Sequence, residues 1–252
     1  MKTWQWILFS IIVYVVFLVA YAPASLIQLA AKDNPNLAIV TPTGTLFNGV
    51  AERVIVNGIS IEKVEWTLSA LPLLWLDAQV NVNAGNVRNT DQIYIKGLIQ
   101  TSLLNPKYLH AEDFQAYLPI KQILAQRQLP VVITADGRIR INLTEFTQED
   151  GCISLSGTGS WPNASVTANN KLIELGDFEA QLSCQQNNYL LTIAGDNEIK
   201  LNAQISISAS GAITPTGTFT IDPSLPPEIK QAAPYFGRET QRGEYKIFEK
   251  TW

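Results

Sequence analysis

Apolar and polar residues alternate along most of the chain after residue 32. Val80, Val82 and Ala84 alternate with polar neighbours, and the same period of two recurs at 139–143, 201–209 and 219–221. A period of two is typical of strands that bury one face and expose the other. Asn-Pro, Asn-Gly and Pro-Thr-Gly sequences separate these runs. The pattern predicts an all-β fold of curved antiparallel sheet.

Two segments depart from this alternation. Residues 106–130 have apolar positions nearer helical spacing, interrupted by Pro119, and residues 226–237 begin with two prolines and end on a glycine. Each predicts a short helix that follows a group of strands. This order indicates two loosely repeated halves, near 40–130 and 137–252. The sequence support for the repeat is one Gly-Thr-Leu before Trp66 and one Gly-Arg-Ile before Trp161.

The N-terminal segment carries no charge between Lys2 and Lys32. Its apolar part, Trp4–Ala24, has the length of about 20 residues that crosses a bilayer as a helix, and Trp4, Trp6 and Tyr21 lie where aromatic rings prefer the interface. A cleaved signal peptide is the alternative, but Pro23 would follow the cut and the apolar run exceeds the usual ~7–15 residues. A retained signal-anchor is favoured, with the N-terminus cytoplasmic because of Lys2.

The predicted organisation is therefore a cytoplasmic tip and transmembrane signal-anchor in residues 1–31, followed by a periplasmic β domain in residues 32–252. The formal net charge is -4 and no basic cluster occurs. Binding to nucleic acid needs concentrated Lys and Arg against the phosphates, so that class of partner is excluded.

Residues suited to catalysis are few. His110 is the one histidine, and the pattern puts it at the entry of a helix, where a solvated or capping role is expected. The glycines at 44, 49 and 58 and those at 157 and 159 match no phosphate-binding template, since strands follow the first group and no helix follows the second. Cys152 and Cys184 lack zinc-site spacing. The chain is predicted to be no enzyme, with no catalytic, cofactor or metal residues.

The two cysteines have a structural interpretation. Both follow the predicted anchor and would lie in an oxidising compartment, where a Cys152–Cys184 disulfide is expected. Two separate buried thiols are the alternative. Trp66 shares a strand face with Val64 and Leu68, and it is predicted, like Trp161, to belong to the structural core.

The order of these parts resembles the type II secretion system protein N family, the general secretion pathway N component. The resemblance rests on the N-terminal anchor, on residues 44–74 with their Gly-Thr-Leu-Phe-Asn-Gly element, and on a closing segment from 225 to 252. The two separated cysteines and the Gly-Thr-Gly-Ser-Trp stretch also fit the second half of the family. Phe47 stands where tryptophan is common in the element, which is a conservative departure.

The resemblance implies a non-catalytic inner-membrane component of the type II secretion apparatus with a periplasmic β scaffold. Its expected partners are the inner-membrane platform, the outer-membrane secretin or both. A second class of function competes: a periplasmic lipid-binding or lipid-transfer module of AsmA-like or lipopolysaccharide-bridge type. The apolar run Leu71–Leu76 is compatible with a lipid groove, but a strand buried on both faces is the favoured interpretation.

Overall fold

A computed structural model of the chain describes residues 3–124, 133–168, 171–195, 197–223, 225–241 and 243–248. Its helical elements are short apart from the first. They are α1 (Thr3–Ala20), α2 (Ser25–Ala31), a 3-10 helix (Pro72–Trp75), α3 (Ile120–Leu124) and α4 (Pro227–Phe236). Helix α4 confirms the helix predicted at 226–237, with Pro227 in its first turn, where a missing N–H has no cost.

Strands make up the rest of the regular structure in the described residues. They are β1 (Leu37–Gly44), β2 (Asn48–Val56), β3 (Ile59–Leu68), β4 (Asp77–Ala84), β5 (Tyr94–Ser102), β6 (Leu109–Pro119), β7 (Ile133–Asp136), β8 (Arg138–Gln148), β9 (Cys152–Ala168), β10 (Lys171–Gln185), β11 (Asn188–Ile193), β12 (Asn202–Ile207), β13 (Ile213–Thr220), β14 (Gly237–Gln241) and β15 (Glu244–Ile247).

These strands form one open antiparallel sheet, as the alternation predicted. The order is β1-β2-β3-β4-β5-β6-β8-β9-β10-β11-β12-β13-β15-β14, and β7 pairs with the end of β9. Because neighbouring strands run in opposite directions, successive connections alternate between the two ends of the sheet. The end that carries the β1–β2, β3–β4 and β5–β6 connections is called the proximal end below. The opposite end, with the β2–β3 and β4–β5 connections, is the distal end.

Helix α1 meets the sheet at the proximal end. It ends at Ala20, and the chain then bonds to the β1–β2 turn: the Ala24 N–H donates to the Gly44 carbonyl at 3.1 Å, and the Leu46 N–H to the Ala22 carbonyl at 2.8 Å. Among the described residues, no helix combines the length and the apolar character needed to cross a membrane. The span Trp4–Ala24 thus stays a prediction, and Lys2, which set its orientation, lies outside the described residues.

The helix predicted across residues 106–130 is wrong over its first half, because Leu109–Pro119 is strand β6. A β-bulge interrupts the period of two within this strand. Asp113 has a φ of 47°, and the pairing of β6 with β5 shifts register on either side of it. Ala111 and Ala116 are consequently both buried, although residues five apart would face opposite sides of a regular strand. The short helix α3 follows, and residues 125–130 lie outside the described residues.

The Leu71–Leu76 run is not the buried strand that the sequence favoured. It forms the 3-10 helix of the β3–β4 connection, which begins at Pro72 and is closed by Leu76 in the left-handed conformation at a φ of 64°. Leu71, Leu74 and Trp75 are exposed there. High apolar content predicted burial, but it could not reveal that no part of the described chain covers this turn.

The packed core of the described residues lies toward the distal end of the second half. One cluster joins α3 to β7, β9 and β10 through Ile120, Ala135, Val166 and Ile173. A second joins α4 to the end of β13 through Phe219, Ile221 and Ala233. In the first six strands the buried apolar residues are four alanines and one proline, which leaves that part of the sheet thin; they are Ala51, Ala84, Ala111, Ala116 and Pro119.

The predicted disulfide is present. Cys152 at the start of β9 is bonded to Cys184 near the end of β10, with their Cα atoms 5.6 Å apart. Cys152 is buried, and its N–H also donates to the Asn187 carbonyl of the β10–β11 turn. The bond ties two neighbouring connections at the proximal end.

Candidate functional site

Ionisable side chains do not gather into a reactive centre in the described part of the chain. His110 lies in strand β6, not at a helix entry as the sequence indicated, and its ring contacts Thr147 at 2.8 Å and Glu112 at 3.0 Å. A threonine on the neighbouring strand and an exposed carboxylate satisfy both ring nitrogens. No set of three or more His, Cys, Asp or Glu side chains within the described ranges could hold a metal ion.

Surface ion pairs account for the perturbed lysines. The hydrogen bond that Lys107 donates to Asp150 raises the pKa of its ammonium group, and Asp136 raises the pKa of Lys121 in the same way. Both N–O distances are 2.6 Å. These side chains are well solvated, so the pairs contribute little to stability and form no site.

Arg138 has a structural role at the distal end. Its guanidinium donates to the Val87 carbonyl at 2.8 Å and the Gln92 carbonyl at 3.3 Å, and it lies over the Tyr117 ring. Burial lowers the pKa of Arg138, and the neighbouring Arg140 acts in the same direction. Arginine nevertheless stays charged in proteins. The side chain therefore fastens the β4–β5 connection to β8.

The Gly-Thr-Leu-Phe-Asn-Gly element forms the β1–β2 turn at the proximal end. Gly44 adopts a φ of 89°, which an L side chain rarely tolerates. The Thr45 hydroxyl accepts the Asn48 N–H at 3.0 Å, and the Trp66 indole N–H donates to the Leu46 carbonyl at 3.1 Å. The element is thus a rigid turn that receives the end of the N-terminal segment.

A second tryptophan makes an equivalent bond in the second half of the chain. Trp161 in β9 donates its indole N–H to the Asp136 carbonyl at 3.0 Å, directly before Gly137. Its ring also stacks on Phe178 with centroids 5.7 Å apart. Trp66 on β3 thus bonds to the turn before β2, and Trp161 on β9 bonds to the turn before β8. Each tryptophan lies on the second strand of a hairpin and bonds to the turn that precedes the first strand. Both tryptophans are half-buried.

An apolar cavity of about 430 Å³ lies at the distal end, between α4 and the second half of the sheet. Its volume falls within the range of small-molecule sites. Among the described residues, no charged side chain lines it. The lining residues are Val166, Leu175, Ile199, Leu201, Pro215, Phe219, Ile221, Ile229, Ala232, Ala233, Tyr235, Phe236, Ile247 and Phe248. The described lining is apolar enough for an acyl chain, and it contains no charged group.

The two ends of the strand order are the edges of the sheet. At one edge, α2 covers part of β1 through a hydrogen bond that the Gln28 side chain donates to the Ile39 carbonyl at 3.0 Å. Pro42, also in β1, has no N–H with which to pair another strand. At the other edge, β14 pairs with β15 on its inner side. An edge strand can add a strand from another chain through its free backbone groups.

The open sheet exposes more surface than a compact protein of the same mass. The chain exposes 16139 Å² of surface, whereas a compact monomer of 27.8 kDa would expose about 11,000 Å². A thin sheet with two edges presents large surfaces for contact with other molecules. The geometry thus supplies contact area, a cavity and edges, without a reactive centre among the described residues.

Comparison with known proteins finds one family along nearly the whole chain. Residues 35–248 match the family model described as type II secretion system (T2SS), protein N. Relatives named type II secretion system protein N are 22% identical in Aeromonas hydrophila, over 94% of this chain and 93% of the relative, and 26% identical in Klebsiella pneumoniae, over 88% and 82%. The Vibrio cholerae relative is 24% identical over 94% and 90%. No solved structure matches the chain significantly.

Proposed function

Because the chain belongs to the type II secretion system protein N family, we propose that it is a non-catalytic inner-membrane component of the type II secretion apparatus. Its periplasmic β scaffold helps to assemble the complex that exports proteins across the outer membrane. The observation that carries this proposal is the family match over residues 35–248. Deleting the gene and following exported enzymes tests it, because loss of a secretion component traps those enzymes in the periplasm.

Membrane attachment is assigned to the N-terminal segment, with one pass at Trp4–Ala24 and the N-terminus in the cytoplasm. Large apolar side chains point outward on every side of α1, among them Trp4, Phe9, Tyr14 and Phe17. Water solvates such a surface poorly, whereas lipid covers it at no cost. The aromatic residues at both ends of the run fit the two interfaces.

The β domain of residues 32–252 is assigned to the periplasm. The Cys152–Cys184 disulfide supports this placement, since such bonds persist in oxidising compartments and are rare in the cytosol. Within the domain, we propose halves near 40–130 and 137–252 that arose by duplication. The equivalent bonds of Trp66 and Trp161 support that division.

Assembly is assigned to the edge of the sheet at β14. Strand addition there would use backbone groups of Gly237–Gln241, and α2 protects the other edge in part. The partners are other secretion components, namely the inner-membrane platform, the outer-membrane secretin or both. Backbone pairing needs no catalytic group and tolerates sequence change, which suits relatives as divergent as these.

The distal cavity favours a second candidate function, a periplasmic lipid-binding or lipid-transfer module. Its largely apolar lining is suited to acyl chains. Filling the cavity by Ala232→Phe separates the two functions: a scaffold keeps its secretion activity, whereas a lipid module loses binding of a fluorescent fatty acid.

A further inference from the structure

Three connections at the proximal end form one continuous surface. The Leu68 N–H donates to the Phe47 carbonyl at 2.7 Å and joins the β3–β4 connection to the β1–β2 turn. The Leu103 N–H donates to the Leu76 carbonyl at 2.8 Å and joins the β5–β6 connection to the β3–β4 connection. The β1–β2 turn also receives the chain from α1, through the bridge between Pro23 and Thr45. Helix α1 and these connections therefore meet at one place.

Large apolar side chains project from this surface without cover. Leu71, Leu74 and Trp75 on the β3–β4 connection are 71%, 75% and 72% exposed, and Leu104 on the β5–β6 connection is 76% exposed. Such residues normally lie inside a protein or against a partner. Together with Leu76 and Leu103 they are called the proximal apolar tip.

The β2–β3 and β4–β5 connections at the distal end are mostly polar, with Val87 as an exposed apolar exception. The β4–β5 connection carries Asn86, Arg88, Asn89 and Asp91, and two of the asparagine side chains accept backbone N–H groups of the same loop. The β2–β3 turn consists of Asn57 and Gly58. Connections of similar length at the two ends thus differ in polarity, and the apolar ones lie beside α1.

We propose that the proximal apolar tip inserts into the periplasmic leaflet of the same bilayer that holds α1. Lipid is inferred as the partner of the tip because the residues after α1 bond directly to the β1–β2 turn. With α1 in the bilayer, the bilayer surface lies next to this end of the sheet. Leucines with a tryptophan are side chains that enter the boundary between headgroups and acyl chains. This inference rests on the proposed membrane attachment of α1.

Polar groups follow the tip on the β5–β6 connection. Asn105 donates to Glu149 at 2.6 Å, and Lys107 pairs with Asp150. These contacts fasten the β5–β6 connection to the β8–β9 turn, so the leucines are presented from a fixed base. The sheet would then stand on the membrane by two contacts, α1 and the tip, and its distal cavity would face away from the bilayer.

Depth-dependent quenching of a fluorescent probe tests the proposal in the full-length chain, reconstituted in phosphatidylethanolamine–phosphatidylglycerol vesicles. A nitrobenzoxadiazole probe is attached to a single introduced cysteine, with the native disulfide left oxidised. The positions are Leu74→Cys on the tip, Val87→Cys on the exposed distal loop as matched control, and Tyr14→Cys on α1. Nitroxide lipids report contact with acyl chains, and aqueous iodide reports contact with water.

We expect the probes at 74 and 14 to be quenched by the nitroxide lipids and the probe at 87 by iodide, with iodide quenching at 74 several times weaker than at 87. If the probe at 14 were quenched by lipid and the probe at 74 behaved like the probe at 87, insertion of the tip would be wrong and the membrane attachment of α1 would be retained. If 74 were shielded from both quenchers, protein would cover the tip and the proposal would be wrong. If the probe at 14 were not quenched by lipid, both the membrane attachment of α1 and the insertion of the tip would be wrong.

Discussion

The indole ring of Trp66 lies over Gly49, its partner across β2 and β3, so closely that a Cβ at position 49 would overlap the ring. The same ring donates to the Leu46 carbonyl in the turn that receives the N-terminal segment. Gly49 is therefore the complement of Trp66, and the pair fixes the proximal end of the first hairpin.

Replacing Gly49 by alanine should destabilise the protein by about 1–3 kcal/mol, because the ring must move away from a well-packed position. Gly159→Ala is the matched control, since its added Cβ would make only an ordinary contact with Ala180 at 3.6 Å. Urea unfolding of the purified full-length protein measures both. In a Trp66→Ala background the cost of Gly49→Ala should shrink, and an unchanged cost would show that the two residues do not interact.

The alternating pattern predicted the class of fold, because successive side chains of a strand point to opposite faces and only one face is buried. It failed where geometry breaks the period. The bulge at Asp113 moves Ala111 and Ala116 to one face, so the buried positions of this strand lose the period of two. The residue type at position 113 does not predict such a bulge. Aspartate tolerates a positive φ better than most residues, but it does not require one.

Prediction of the surfaces failed for a different reason. The Leu71–Leu76 run is as apolar as a core strand, and its partner lies outside the chain if the proximal tip enters lipid. Hydrophobicity reports a tendency to leave water without naming the neighbour. The apolar cavity under α4 was equally hidden, because its lining comes from β9, β10, β13, β15 and α4, which only the fold brings together.

The disulfide should stabilise the domain by about 3–4 kcal/mol in the chain-entropy model, given the 32-residue separation of its cysteines. Adding reductant should lower the unfolding midpoint by the corresponding amount. A variant with both Cys152→Ser and Cys184→Ser is the control, and its midpoint should not respond to reductant. Alkylation of the unreduced wild type, followed by mass measurement, should find no free thiol; labelling of both cysteines would refute the bond.

Membrane topology has a direct reporter. A phosphatase that is active only in the periplasm, fused after Trp252, should be active, because a single pass with a cytoplasmic N-terminus exports everything after Ala24. The same fusion without residues 1–31 should be inactive, as nothing would then direct export. Activity of a cytoplasm-only reporter at the same point would contradict the assignment of the β domain to the periplasm.

Strand addition at β14 makes a prediction for partner contact. A photo-crosslinking amino acid at Arg238, which is exposed on this edge strand, should capture another secretion component in intact cells. Gln204 is the matched control, because it is also exposed but lies on β12 between two paired strands. Equal crosslinking at both positions would argue that the faces of the sheet, and not this edge, bind the partner.

The location of exported enzymes in a strain that lacks this gene is the most direct test of a scaffold role in protein secretion. These enzymes should accumulate in the periplasm or leave the cell less efficiently, growth and membrane lipid composition should stay normal, and the full-length chain should restore export. Ala232→Phe, which fills the distal cavity, should restore export as well. Normal secretion together with a changed outer-membrane lipid composition would contradict the scaffold role and support the lipid-module function.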